Sequence, residues 1–150
     1  MPDVNVQGAD LDLATAEIQV DGRPLLYGFS SLGWKRTLTR EFVWWNGSDN
    51  PQGRTSGGKA EPSMTGEMPA KNHALLVNAL GGSGADGLAH MRKPFTVTLL
   101  FRPTGASTIY RMRFEQVVIT SEDGKNEHGS KSTVSLELMP MRIIGPEVTS

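Results

Sequence analysis

The sequence contains no cysteine. That absence removes disulfides, thiolate zinc sites, iron–sulfur clusters and cysteine nucleophiles together. It leaves the compartment open, because a chain without cysteine suits reducing and oxidising surroundings alike. No sign of charge dominates. Fifteen Lys and Arg stand against sixteen Asp and Glu, for a net charge of -1. A broad electrostatic grip on nucleic acid or an anionic membrane is therefore not expected. Long apolar runs are missing too. The longest, as at 74–77, cover only a few residues, far short of a bilayer span. Residues 1–12 carry acids and glycine, with neither the basic start nor the apolar stretch of a targeting signal. A soluble protein with no membrane partner is expected.

Apolar residues make up only 37% of the chain, and the difference lies in 17 Gly and 9 Pro. Bending residues at this density favour turns, and turns favour strands over a helical bundle. At 150 residues the chain reads as one domain, 1–150, large enough to bury about two thirds of its unfolded surface.

Residues 1–13 are polar and read as a mobile arm. Alternation then begins, with Ala16, Ile18 and Val20 on one strand face and Asp21-Gly22 as the turn behind it. Leu32, Trp34 and Leu38 define a second strand, whose apolar face Arg36 interrupts. An arginine there is either paired or interfacial, or solvated on an edge strand. Phe42-Val43-Trp44-Trp45 leads into residues 46–62, which are rich in Gly, Pro, Asn and Ser. A loop this long and this polar in a small domain points to function or disorder. Two adjacent tryptophans point to opposite faces of an extended chain, so one of them needs cover from a partner.

A short strand is expected over 63–68. The single helix is expected over 70–80, opened by Pro69 and stopped by Gly81-Gly82. Clear alternation follows in Phe95, Val97, Leu99 and Phe101. A long strand over 109–120 carries Tyr110, Met112 and Phe114 on one face. After Glu115 the apolar set shifts to Val117-Val118-Ile119, the mark of a bulge. Val134, Leu136 and Leu138 alternate again, and Met141-Arg142-Ile143-Ile144 closes the series. The fold class is mainly β, a sandwich or barrel of antiparallel strands with one flanking α-helix.

Most chemical motifs fail on context. Gly53 to Lys59 has phosphate-loop spacing, but Ala60 stands where a magnesium-binding hydroxyl is needed and no buried strand leads in. Gly82-Ser83-Gly84-Ala85-Asp86-Gly87 spells a dinucleotide fingerprint yet follows a helix instead of a strand. His73, His90 and His128 lack the i, i+3 or i, i+4 spacing of a helical metal site, so no metal site is expected. His73 is expected on the exposed side of the helix. Residues 122–130 read as a polar turn, where Glu122-Asp123 pairs carboxylates only trivially, and no nucleophile elbow is recognisable. The expectation is no catalytic residue, no cofactor and no enzyme. Arg111 and Arg113 share the strand face opposite Met112 and Phe114. That pattern fits a nucleic-acid-facing sheet, a solvated face balanced by Glu115, or a subunit contact.

The order of the pieces carries more than any one of them. It runs through Gly53-Arg54-Thr55-Ser56-Gly57, Glu61-Pro62-Ser63-Met64, a single helix over 70–80 with Gly81, then Val134-Ser135-Leu136-Glu137-Leu138-Met139-Pro140-Met141-Arg142-Ile143. From Val20 onward this order resembles the major tail tube proteins of tailed bacteriophages and related injection machines. The sequence departs from that pattern at Trp44-Trp45-Asn46 and in the glycine-rich stretch after the helix. The resemblance implies a structural virion protein in hexameric rings, stacked into a hollow tube through which DNA passes without specific binding. It implies self-association as the main partnership, with sheath, tape-measure, baseplate and tail-terminator proteins as further partners. The implied location is the virion tail, after assembly in the host cytoplasm. The alternatives are the ring-forming inner tube of a bacterial injection or secretion system and a small oligonucleotide-binding β-barrel. The candidate assembly residues are Trp44, Trp45, Arg54, Thr55, Gly57, Lys59, Glu61, Arg111 and Arg113, with 46–62 as the assembly loop.

Overall fold

The computed structural model describes residues 5–6, 11–25, 28–44, 47, 50, 53–54, 59–125 and 132–149. The described strands are β1 (Asn5–Val6), β2 (Leu11–Val20), β3 (Arg23–Leu25), β4 (Ser31–Leu38), β5 (Phe42–Val43) and β6 (Gly53–Arg54). They continue with β7 (Ala60–Pro69), β8 (Phe95–Pro103), β9 (Tyr110–Lys125), β10 (Thr133–Met139) and β11 (Arg142–Val148). Helix α1 spans Ala70–Ala79, and a 3₁₀ turn spans Ala89–Arg92.

One hydrogen-bonded path runs β1-β4-β7-β10-β9-β8-β2-β3, and β11 joins it by pairing with β9. Strand β9 is the spine. Its first half pairs with β8 and β11, and its second half pairs with β10. The sheet folds over at this strand, and residues from both halves meet in one core. Ile18, Leu99 and Phe114 contribute from one half; Leu32, Met64 and Leu136 contribute from the other. The mainly β class with one flanking helix is what the structure has.

Strict alternation drives this burial. Ala16 faces Leu99 and Ile18 faces Val97 across the β2–β8 ladder, and all four are buried. Glu17 and Gln19 point the other way, as the two-residue period of a strand requires. The bulge expected after Glu115 is present. Phe95 pairs with Val117 but Val97 pairs with Phe114, so β9 carries one extra residue there. Gln116 absorbs it at φ 53°. The insertion keeps Met112, Phe114, Val117 and Ile119 all buried, although their parity changes. A second register shift, with Glu137 on Ser121 but Leu138 on Ile119, turns Glu122 to the same face as buried Leu136.

Several boundaries differ from the sequence expectation. Strand β2 starts at Leu11, and Asn5–Val6 pairs in parallel with Ser31–Leu32. Strand β7 begins at Ala60, because Ala60, Glu61 and Pro62 pair with Leu38, Thr37 and Arg36. Strand β9 runs on to Lys125, five residues past the expected end. Helix α1 follows Pro69 and ends in a glycine turn, where Gly81 (φ 94°) donates to the Asn78 carbonyl. Gly66 is required by packing: a Cβ there would lie 2.5 Å from ring atoms of Phe29, itself fully buried.

Candidate assembly surface and a buried histidine cluster

The β4–β7 ladder ends at Leu38 and Ala60, and the two described strands between them lie outside the main sheet. Strands β5 and β6 form a separate two-stranded ribbon, with Phe42 opposite Arg54 and Val43 opposite Gly53. Phe42 is 63% exposed and Trp44 58% exposed. Their rings meet edge to face with centroids 6.1 Å apart. Among the described residues the ribbon buries no side chain, and both rings stay largely exposed. Trp45, Thr55 and Gly57 fall outside the described residues. Arg54 is exposed, and exposed Lys59 and Glu61 pair at 3.4 Å. Trp44, Arg54, Lys59 and Glu61 therefore belong to one end of the domain, as a group.

An apolar cleft of about 380 Å³ lies beside this end. Leu38, Pro62, Met141 and Ile144 are among its lining residues. Met141 is 70% exposed. Arg36 bounds the cleft and resolves its place in β4. Its guanidinium stacks over the Trp34 ring at 5.2 Å and donates through Nη1 to the Ile143 carbonyl at 3.3 Å. It thus ties the rim of β4 to β11, combining a cation–π contact with a cap on an edge-strand carbonyl.

Arg111 and Arg113 lie elsewhere, on the outer face of the half formed by β2, β8, β9 and β11. Glu17, Gln19, Thr96, Thr98 and Glu115 share that face with them. Arg111 donates to Glu147 at 3.3 Å, and Arg142 donates to Glu115 at 2.7 Å. The balancing acid for Arg111 is Glu147, from β11, whereas Glu115 is taken by Arg142. The described aromatics of this half, Phe95, Phe101, Tyr110 and Phe114, belong to the opposite, core-facing side of the ladder. A face without aromatic rings offers bases nothing to stack on.

The histidine expectation needs correction. His73 and His90 are not apart: their ring centroids are 6.3 Å from one another. His73, from α1, places Nε2 at 3.0 Å from Oε1 of Glu122. His90, from the 3₁₀ turn, places Nε2 at 2.7 Å from the same oxygen. His73 is 20% exposed at its side chain, not solvated, and His90 only 4%. Spacing along the chain failed because the partners are separated by 49 and 32 residues. The second bulge of β9 turns the carboxylate inward beneath the helix. Burial pushes the Glu122 carboxyl upward, but the hydrogen bonds from His73 and His90 outweigh it and hold the group below its ordinary value. His128 lies outside the described residues.

No family model matches the sequence, and no curated protein matches it. Solved structures do match. The chain is similar to a chain in the cryo-EM structure of the anti-feeding prophage baseplate, at TM-score 0.64 and 10% identity, covering 96% of this chain and 95% of that one. It is similar to the SPP1 tail tube determined by solid-state NMR and cryo-EM, at TM-score 0.58 and 11% identity, covering 91% and 78%. It is also similar to a chain in the virion of a native gene transfer agent particle, at TM-score 0.54 and 14% identity, covering 90% and 95%. At these identities the likeness is one of fold, and it extends over nearly the whole domain: this chain has the tail-tube fold.

Proposed function

We propose that this chain is a structural subunit of a phage tail, which self-assembles into stacked hexameric rings forming a hollow tube for DNA delivery. The observation that carries the reading is the near-complete fold match to proteins of tail and injection particles. The surface supports it. The two ends of the β3-β2-β8-β9-β11 half are different strands, β3 and β11, so pairing β3 of one copy with β11 of the next is heterologous. Heterologous contacts generate closed rings when the rotation closes. The exposed ribbon with Phe42 and Trp44 then reaches the next ring, with Arg54, Lys59 and Glu61 setting register.

In this arrangement the face bearing Arg111 and Arg113 lines the lumen. On that face Arg111 is drawn into an ion pair with Glu147, and Arg142 pairs with Glu115. A wall of paired charges holds few phosphates, so DNA slides past it with little counterion exchange. Baseplate, sheath, tape-measure and terminator proteins are the further partners of such a tube, and the virion tail is its place. A second reading is the inner tube of an injection system that carries no genome. The similarity to the anti-feeding prophage baseplate and to a contractile injection system's sheath–tube complex favours it.

Negative-stain electron microscopy of the purified protein across a concentration series tests the proposal. Rings or tubes with a central hole are expected. A monodisperse monomer at every concentration, with or without added baseplate complex, overturns it. Particles isolated from the producing cells separate the two readings, since only the first carries packaged DNA.

A further inference from the structure

We propose that His73, His90 and Glu122 bind a divalent transition-metal ion of the zinc class, which pins α1 and the 3₁₀ turn to strand β9. The cluster draws one ligand atom from each of three elements, and these atoms all lie within 4.8 Å of one another. Both imidazole Nε2 atoms converge on a single carboxylate oxygen, at 3.0 and 2.7 Å. A tetrahedral ion with bonds of about 2.0–2.1 Å holds its ligand atoms about 3.3 Å apart. The carboxylate therefore withdraws by a few tenths of an ångström from each nitrogen, and the two imidazole nitrogens, which lie within 4.8 Å of one another, close toward the same spacing to admit the ion.

The chemistry of the donors fits as well. Two imidazoles and one carboxylate suit zinc, cobalt, nickel or copper, and are poorly matched to magnesium or calcium, which take oxygen ligands. Two neutral rings and one carboxylate also bring a single negative charge to meet the dication. His90 is held rigidly, being 4% exposed at its side chain. His73 and Glu122 are 20% and 22% exposed, which leaves one side open for water as the fourth ligand. The segment that carries His90 is itself fixed: Asp86 accepts from the Leu88 backbone N–H at 3.0 Å and pairs with Arg92 at 2.9 Å. A pre-positioned ligand set lowers the ordering cost of binding. The proposed role is structural. The helix buries only Leu76 among its ten residues, so a metal clip supplies attachment that packing does not.

The test uses tag-free full-length protein, stripped with EDTA and then titrated with ZnSO₄ or CoCl₂. Zinc at a hundred times its dissociation constant is expected to raise Tm by about 5–10 °C. Cobalt is expected to give the visible absorption of a tetrahedral site with nitrogen and oxygen ligands. His73→Ala and Glu122→Gln, both at partly exposed positions, are expected to fold and to lose both signals. His90→Ala is avoided as the sole test, because its ring is buried. Absence of a Tm shift and of a cobalt band in the wild type overturns the proposal. Equal signals in His73→Ala and Glu122→Gln overturn it too, by placing the metal elsewhere. Each readout is made on the unassembled protein, so it stands apart from tube formation.

Discussion

Trp44→Ala is expected to impair assembly far more than folding. The residue is 58% exposed in the free subunit. A tryptophan offers roughly 250 Å² to burial, so about 145 Å² remains for a neighbour to cover. At about 25 cal/mol per Å² that is about 3.5 kcal/mol per contact. Fixing the ring at the interface costs about 1 kcal/mol, which leaves about 2–3 kcal/mol, or roughly 30- to 150-fold in the association constant of each contact. Among the described residues, the ring contact that the mutation removes from the isolated subunit is the edge-to-face one with Phe42, worth about 1 kcal/mol at most. Because the ribbon is separate from the main sheet, Tm is expected to fall by no more than about 4 °C. Sedimentation velocity across a concentration series reads assembly, and differential scanning calorimetry reads the fold. The reasoning fails if Tm drops by 10 °C or more, or if the variant assembles at wild-type concentration. The first result makes Trp44 a core residue, and the second removes it from the interface.

Deleting residues 53–59 is expected to leave a folded protein that does not stack; full-length tubes seen by electron microscopy refute the assembly role of this segment. Gly66→Ala drives a methyl group into the Phe29 ring and is expected to cost about 1–3 kcal/mol, with a Tm loss of roughly 3–10 °C. Partial recovery on adding Phe29→Leu identifies the clash, and an unchanged Tm in Gly66→Ala excludes it. Asp86 is held below its ordinary value of 3.8, first by the Leu88 backbone hydrogen bond and then by Arg92. A depressed carboxyl stabilises above its unfolded value and loses that stabilisation as pH falls through the folded one. Asp86→Ala is therefore expected to lower Tm at pH 7 and to match wild type near pH 2; an equal deficit at both pH values contradicts this origin.

Strands β2, β8 and β10 were legible because each buries one face only, and Ala16, Val97 and Leu136 mark that face with a two-residue period. The bulge in β9 was legible for the same reason, since a change of parity between Phe114 and Val117 has no other simple cause. The second half of β9 was not. From Ser121 to Lys125 its inward positions are Glu122 and Gly124, opposite Leu136 and Val134, and no apolar alternation announces them. The start of β7 was hidden likewise, because Ala60, Glu61 and Pro62 lie at an exposed ladder end where burial selects nothing.

The two sites differ in the same way. The pair Trp44-Trp45 was visible as an excess, since one of two adjacent rings at the mouth of a polar loop needs cover, but the sequence did not say which. The histidine cluster was invisible, because no local period links His73, His90 and Glu122. Its members meet only after the second β9 bulge has turned a carboxylate inward and the 3₁₀ turn has carried His90 beneath the helix. A ligand set built from three elements is a product of tertiary register. Slipping β9 by one residue would return Glu122 to the solvent side and dissolve the cluster, while leaving every residue of the sequence in place.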